Sequence, residues 1–250
     1  MHILDRAFLR PIAHRGLHDA ARGVIENTSA AFTAAIDKGY GIECDLRPAS
    51  DGTPFVFHDA KFGRLIDAPG RVDRTVPATI AGLIYRGSSE HVLPFADLLD
   101  LVAGHVPLLV EIKSDWGHPS TPFLKAITAL VAAYKGPLAL MSFDPGVMAP
   151  IKDLAPDIPR GIISGKYSGK GWWPDKIDEA RAFRLSHLLE SGPVEPAFYS
   201  YDVRSLPTPV TRFVREAMRV PVMTWTVRTP SDLATAKQWA DGITFESFEP

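Results

Sequence analysis

The sequence contains only one cysteine, Cys44, in 250 residues, so no internal disulfide can form. Disulfide-stapled secreted folds are thereby excluded, and nothing in the chain requires an oxidising compartment. A strong charge of either sign is also missing, because 27 Lys and Arg residues stand against 29 Asp and Glu residues. The formal net charge of -2 therefore gives no reason to expect a nucleic-acid partner.

Long apolar runs are absent as well. No stretch approaches the about 18 uncharged apolar residues that indicate a membrane-spanning helix. The opening residues, MHILDRAFLRP, alternate apolar and charged side chains and lack the hydrophobic segment of a secretory signal. We therefore expect a cytoplasmic protein without stable membrane insertion, while the oligomeric state stays open.

What the chain does contain is typical of one globular domain spanning residues 1–250, with 46% hydrophobic and 22% charged residues. Strand-like apolar runs alternate with amphipathic helical segments from end to end, which predicts a parallel sheet with helical crossovers. The predicted strands are 11–16, 41–47, 53–59, 106–114, 137–144, 158–164, 197–203, 220–227 and 241–247.

Nine strands are one too many for an eight-stranded barrel, and residues 42–59, IECDLRPASDGTPFVFHD, explain the excess. Only a few residues around Asp51-Gly52 separate IECDL from FVFHD, too few for a parallel crossover. These two runs should therefore pair as an antiparallel hairpin. The sequence thus predicts an α/β fold, a TIM (β/α)₈ barrel with a β-hairpin excursion after strand 2.

Helix ends are marked by residues that favour caps. Asn27 is the predicted N-cap of a helix through Phe32 and Ile36, with Gly39 as its stop. Thr121 and Thr208, each followed by proline, are predicted caps of two further helices, and Ser231 is the predicted cap of the helix that runs to Trp239. Glu26 and Asn27 are interpreted as turn and cap residues rather than ligands.

Polar side chains cluster where the first strands end. Alternation along a strand places Glu43 and Asp45 on one face of IECDL, and Glu111 and Lys113 on one face of LLVEIK. We predict that these faces point into the barrel. Because barrel active sites lie at the carboxyl ends of the strands, these four residues should meet there with three more, His14, Arg15 and His58.

Three converging carboxylates, Glu43, Asp45 and Glu111, repel one another unless a cation is bound. Oxygen ligands favour one hard divalent cation, Mg²⁺ or Ca²⁺, over zinc. Two histidines beside such a metal, together with Arg15 and Lys113 as fixed positive charges, suit a phosphate ester. The histidines would move protons near neutral pH, and the cations would bind phosphate oxygens.

An ordered set of motifs carries a resemblance to the glycerophosphodiester phosphodiesterases, which are PI-PLC-like TIM-barrel enzymes. The match runs from residue 11 to about 247, on the motifs HRG (14–16), ENTSAAF (26–32), ECD (43–45), DGTPFVFHD (51–59), EIK (111–113), SFDP (142–145) and WTV (225–227). The resemblance implies divalent-cation-dependent hydrolysis of small-molecule glycerophosphodiesters to glycerol 3-phosphate and an alcohol.

The resemblance also implies residue roles. His14 and His58 match the family's acid–base pair, and Glu43, Asp45 and Glu111 match its metal ligands. Substrate would be bound by Arg15, Lys113 and, in the late tryptophan motif, Trp225.

Two other functions are alternatives to the hydrolysis of glycerophosphodiesters. A lysophospholipase D-like activity on lysophospholipids would suit the adjacent Trp172 and Trp173, which are interpreted either as a lid or lipid-touching patch or, preferably, as a loop packed onto the barrel. A non-catalytic barrel that binds a phosphorylated ligand is disfavoured, because neither histidine and none of the three acids is missing.

Overall fold

The structure is a computed structural model that describes residues 4–167, 173 and 175–250. The chain divides into two compact units. The N-terminal unit comprises Ile12–Lys113 and Ser120–Leu138, and the C-terminal unit comprises the residues up to Pro11, Ser114–Pro119 and Ala139–Pro250. Trp172 lies outside the described residues, so its interpretation as a lid or as a packed loop stays a prediction.

All nine predicted strands are present in the described residues. Their bounds are β1 Ile12–Ala13, β2 Gly41–Pro48, β3 Pro54–Val56, β4 Leu108–Ile112, β5 Leu138–Ser142, β6 Arg160–Ser164, β7 Phe198–Asp202, β8 Val222–Val227 and β9 Gly242–Phe245. In the N-terminal unit β2 pairs in parallel with β1 and β4, and in the C-terminal unit β5 to β9 pair in parallel in chain order. With β3 as the antiparallel exception, the predicted α/β TIM (β/α)₈ fold class is confirmed.

The helices alternate with the strands, as the sequence pattern predicted. Their bounds are α1 Ser29–Asp37, α2 Pro77–Ala81, α3 Phe95–Val102, α4 Thr121–Ala133, α5 Pro145–Leu154, α6 Glu179–Ser186, α7 Pro209–Arg212 and α8 Pro230–Trp239. A turn of π-helix, Phe213–Ala217, continues α7. No helix in the described part of the chain is long and apolar enough to span a membrane.

Three predicted N-caps were wrong by one or two residues. The caps are Thr28 for α1, Ser120 for α4 and Thr229 for α8, because each has an extended backbone and its hydroxyl accepts a bond from an N–H in the first helical turn. Thr208 caps α7 as predicted. Gly39 follows α1 with φ +69° and donates its N–H to the Ile36 carbonyl, so the predicted stop is confirmed.

The predicted hairpin is confirmed by the pairing of β2 with β3, in which Leu46 lies opposite Val56. At its turn the Thr53 N–H donates to Asp51 Oδ1 at 2.9 Å, and Gly52 has φ +93°. The Phe57 N–H then donates to the Asp45 carbonyl at 3.0 Å. The hairpin therefore carries His58 back beside the strand that bears Glu43 and Asp45.

The excursion after β2, residues 49–94, extends well beyond the predicted hairpin. Its apolar side chains form a separate buried cluster, made of Ala49, Phe55, Phe57, Phe62, Ile66, Val72, Ile80, Tyr85 and Val92. Because this cluster has its own packed core, it can hold the segment after His58 in a defined position despite little regular secondary structure.

Candidate functional site

The loop that follows β1 presents two of the predicted site residues, His14 and Arg15. Since Ala13 pairs with Ile42 in parallel register, His14 comes beside Glu43, with His14 Nε2 3.9 Å from Glu43 Oε2. Arg15 has a left-handed backbone, φ +57°, which an arginine adopts only at a cost. That conformation lets the Arg15 N–H donate to Glu43 Oε2 at 3.0 Å.

Three predicted metal ligands meet in the same unit. Glu43 and Asp45 lie on β2, and Asp45 is directly opposite Glu111 on β4. One carboxylate oxygen of each lies within 4.8 Å of the others, and all three side chains are buried. Strand alternation and parallel register therefore bring the three acids together, as the sequence pattern predicted.

Two cations neutralise part of this negative charge. Lys113 Nζ lies 2.7 Å from Asp45 Oδ1 and 2.6 Å from Glu111 Oε1. Arg15 Nε lies 3.3 Å from Asp45 Oδ2, and its terminal nitrogen donates to Glu26 Oε1 at 2.7 Å. Both cations are largely shielded from solvent, so their attraction to the carboxylates is only weakly screened.

Burial and charge set the protonation of these groups. Burial raises the pKa of Glu43 well above its ordinary value, and the negative charges of Asp45 and Glu111 add to the effect. Burial acts the same way on Asp45, but Lys113, His58 and Arg15 outweigh it and hold the pKa of Asp45 well below its ordinary value. The site thus contains one firmly ionised acid and one that is costly to ionise.

The donor set fits a hard divalent cation. All three acids offer oxygen, the ligand that Mg²⁺ and Ca²⁺ prefer. Glu43 Oε1 is buried and has no hydrogen-bond partner in the described part of the chain, which is costly for a carboxylate oxygen. A bound cation would satisfy that oxygen and lower the mutual repulsion that raises the pKa of Glu43.

His58 lies at the end of the hairpin and is about one third exposed, with 31% of its side chain accessible. Its Nδ1 is 2.7 Å from Asp59 Oδ1, and Arg47 Nε donates to its backbone carbonyl at 3.0 Å. Asp59 thereby orients the ring.

Sequence reasoning missed three residues that support the site. Asn27, predicted as a helix cap, instead donates its amide to Asp45 Oδ2 at 2.9 Å and is fully buried with φ +58°. Glu26 accepts from both Arg15 and Arg64, and Arg64 also donates to Asp59. The one local signal was the known tolerance of asparagine for left-handed backbone.

Trp225, the predicted substrate-binding tryptophan, belongs to the C-terminal unit and is half-buried near the end of β8. Its indole N–H donates to the Ser200 carbonyl at 3.1 Å, and its ring meets Phe143 edge-on with centroids 5.2 Å apart. Trp173, in the same unit, packs edge-on against Tyr167 beside the cluster of Ile177 and its neighbours.

Comparison with known proteins gives a consistent picture. Residues 14–247 match the model of the glycerophosphoryl diester phosphodiesterase family. A Mycobacterium tuberculosis protein named "Probable glycerophosphodiester phosphodiesterase 1" is 27% identical over an alignment of 178 residues that covers 62% of this chain. The matched region spans 64% of that relative's length.

Solved structures resemble nearly the whole chain. A phosphodiesterase from Oleispira antarctica, solved in complex with the product sn-glycerol-3-phosphate, superposes with a TM-score of 0.72 at 20% identity, over 94% of this chain and 92% of that one. The glycerophosphodiester phosphodiesterase of Thermotoga maritima gives a TM-score of 0.71 at 19% identity, over 98% and 95% of the two chains. At these identities the likeness shows that the fold is shared.

Proposed function

This chain belongs to the glycerophosphoryl diester phosphodiesterase family, and on that basis we propose that it is a metal-dependent hydrolase. It cleaves glycerophosphodiesters to glycerol 3-phosphate and an alcohol. The observation that carries the proposal is the buried group of Glu43, Asp45 and Glu111, gathered within 4.8 Å and flanked by His14, Arg15 and Lys113. The product bound to the Oleispira antarctica structure supports the choice of substrate class.

Glu43, Asp45 and Glu111 are the residues that would hold the cation, Mg²⁺ or Ca²⁺. When bound, such a cation supplies positive charge to a phosphate oxygen and stabilises the charge that develops during displacement. Asn27 keeps Asp45 in place through the amide bond at 2.9 Å. Glu43 is held by the Arg15 N–H, which leaves its other oxygen available as a ligand.

Arg15 and Lys113 are the fixed positive charges for the phosphate. The carboxylates around Arg15, led by Asp45, raise its pKa although burial opposes them, and the same balance raises the pKa of Lys113. Both side chains are therefore held in their cationic forms. Charges held in advance by protein groups stabilise a transition state without reorganisation during the reaction.

His14 and His58 are the acid–base pair. One takes a proton from the attacking oxygen as it bonds to phosphorus, and the other gives a proton to the alkoxide as the phosphorus–oxygen bond breaks. His14 is placed by its contact with Glu43, and His58 by its bond to Asp59. Positioned groups of this kind contribute about 10²–10⁴-fold to the rate.

The test is a panel of glycerophosphodiesters assayed with and without a chelator, on wild type, His14→Ala and Glu111→Ala. We expect turnover only in the presence of a divalent cation and a loss of about 10²-fold or more in kcat for His14→Ala. His105→Ala, which changes an exposed histidine of the same unit, serves as the matched control and should keep wild-type activity.

Activity that survives both the chelator and His14→Ala would contradict the mechanism, and full activity of Glu111→Ala would contradict the metal assignment. Lysophospholipids belong in the same panel, because their preferential turnover would favour the lysophospholipase D-like alternative.

A further inference from the structure

Arg64 bridges two acids that belong to different parts of the site. Its two terminal nitrogens donate to the two oxygens of Glu26 at 3.0 and 2.6 Å, and its Nε donates to Asp59 Oδ2 at 2.5 Å. Arg64 lies six positions after His58, outside the motifs of the sequence. All three side-chain nitrogens of Arg64 donate to carboxylates, so the guanidinium has one well-defined orientation.

The bridge is anchored at both ends. Glu26 is only 13% exposed and also accepts from Arg15 at 2.7 Å, so it cannot follow Arg64 into solvent. Arg64 itself is held by its own segment of the chain, because Phe62 and Ile66, two positions before and after it, are buried in the apolar cluster of the excursion. An exposed arginine pair usually contributes little, but here both partners are already ordered.

Asp59 connects Arg64 to His58 and holds the imidazole ring in place. Its Oδ2 is taken by Arg64, and its Oδ1 lies 2.7 Å from His58 Nδ1. Burial opposes its charge, but the hydrogen bonds from His58 and Arg64 hold the pKa of Asp59 below its ordinary value. An ionised carboxylate can only accept, so His58 Nδ1 must carry the proton and Nε2 is left as the free nitrogen of the neutral ring.

We propose that Arg64 is a positioning residue which, through Asp59, holds His58 as the Nδ1–H tautomer and so keeps Nε2 ready for proton transfer. The kinetic part of this inference rests on the proposed function of His58 as an acid–base group. The structural part does not, because the tautomer of a resting histidine can be observed without substrate. Removing Arg64 would free Asp59 Oδ2 and let the carboxylate rotate away from the ring.

The first experiment is independent of activity. The ring nitrogens of the eight histidines are observed by NMR in ¹⁵N-histidine-labelled protein at alkaline pH. His58→Gln identifies the signals of His58. We expect the Nδ1–H tautomer in wild type and a clear shift towards the Nε2–H tautomer in Arg64→Ala.

Arg71→Ala is the matched control. Arg71 belongs to the same excursion and forms a two-pronged pair with Asp73, through bonds of 2.8 and 3.2 Å. Because that pair does not involve Asp59, its loss should leave the His58 tautomer unchanged. An unchanged tautomer in Arg64→Ala, or an equal change in Arg71→Ala, overturns the proposal whatever the enzyme's activity.

The second experiment uses kinetics on a glycerophosphodiester. Loss of an outer partner of a reacting group typically costs about 10–100-fold, so we expect kcat of Arg64→Ala to fall by that factor, with KM changed less than about threefold. In Asp59→Asn the Arg64 fork would draw the amide oxygen and turn its NH₂ towards His58, which selects the wrong tautomer. We expect a similar or larger fall in kcat there.

The double variant decides whether Arg64 acts through Asp59. If it does, Arg64→Ala combined with Asp59→Asn is no more than about twofold slower than Asp59→Asn alone. If the loss of kcat in the double variant equals the product of the two single losses, Arg64 acts independently of Asp59, and the proposal is contradicted. Arg64→Lys, which restores one donor, should recover part of kcat. If wild type shows the predicted tautomer but no diester turnover, the proposed function fails and the role of Arg64 in holding His58 stands.

Discussion

Glu43 should destabilise the metal-free protein, and Glu43→Gln tests this directly. The substitution keeps the shape of the side chain and removes its charge. The glutamine oxygen can still accept from the Arg15 N–H, and its NH₂ would replace the unpaired Oε1 next to two carboxylates. Leaving a buried polar group unsatisfied costs about 1–3 kcal/mol. We therefore expect Glu43→Gln to raise the free energy of unfolding of the chelator-treated protein by about 1–3 kcal/mol at pH 8.

The stability difference between Glu43→Gln and wild type should depend on pH. The pKa of Glu43 is raised in the folded state, mainly by burial, so its contribution to stability is fully present below its ordinary pKa of about 4.3. That contribution is lost as pH rises through the folded-state pKa, by about 1.4 kcal/mol for each pH unit and proton. The advantage of the glutamine variant should therefore vanish below about pH 4 and grow towards pH 8.

A divalent cation should reduce the advantage of the glutamine variant. At a concentration about 100 times Kd it stabilises wild type by about 2.7 kcal/mol, whereas the variant has lost one ligand and gains less. Urea unfolding followed by tryptophan fluorescence, with chelator or with Mg²⁺ at pH 4 and pH 8, measures all four conditions. A variant that is less stable than wild type in chelator at pH 8, or equally stabilised at pH 4, would refute the reasoning.

Three further predictions concern the supports of the site. Lys113→Met leaves buried Asp45 without its nearest cation, so we expect a loss of about 3–5 kcal/mol in the metal-free protein and partial recovery with Mg²⁺, measured by urea unfolding. Asn27→Gly keeps the left-handed backbone but removes the amide on Asp45, which should cost about 1.5–3 kcal/mol; an unchanged unfolding midpoint would show that water replaces the amide. Gly16→Ala would place a Cβ 2.8 Å from the Ala31 carbonyl carbon at φ +79°, so thermal unfolding should show a loss of more than about 1 kcal/mol, and a wild-type Tm would contradict the close approach.

Much of the fold could be read from local pattern. Period-two alternation placed Glu43 and Asp45 on one face of a strand, and the short turn at Asp51-Gly52 allowed only an antiparallel return. Both features depend on residues close together in the chain, so they survive without knowledge of the rest. The helix caps were predicted less well, because several neighbouring residues could accept the same N–H and only the backbone conformation chooses among them.

The supports of the site could not be read in this way. Asn27 and Asp45 are 18 residues apart, and Glu26 and Arg64 are 38 apart, so no spacing rule relates them. Asn27 was interpreted as a cap because that is what an asparagine before a helix usually is. Its true partner became visible only when the loop before α1 was placed against β2.

The sequence by itself predicted which residues would carry the chemistry: two histidines, three acids and two cations at predicted strand ends, in the order and spacing of a known family. Tertiary structure decided how those groups are held and charged. Parallel register set Asp45 beside Glu111, burial left one oxygen of Glu43 without a partner, and the packed core of the excursion brought Arg64 to Asp59. The division has a physical reason: side-chain type and alternation are local properties, whereas burial, register and long-range ion pairs exist only after distant segments have packed.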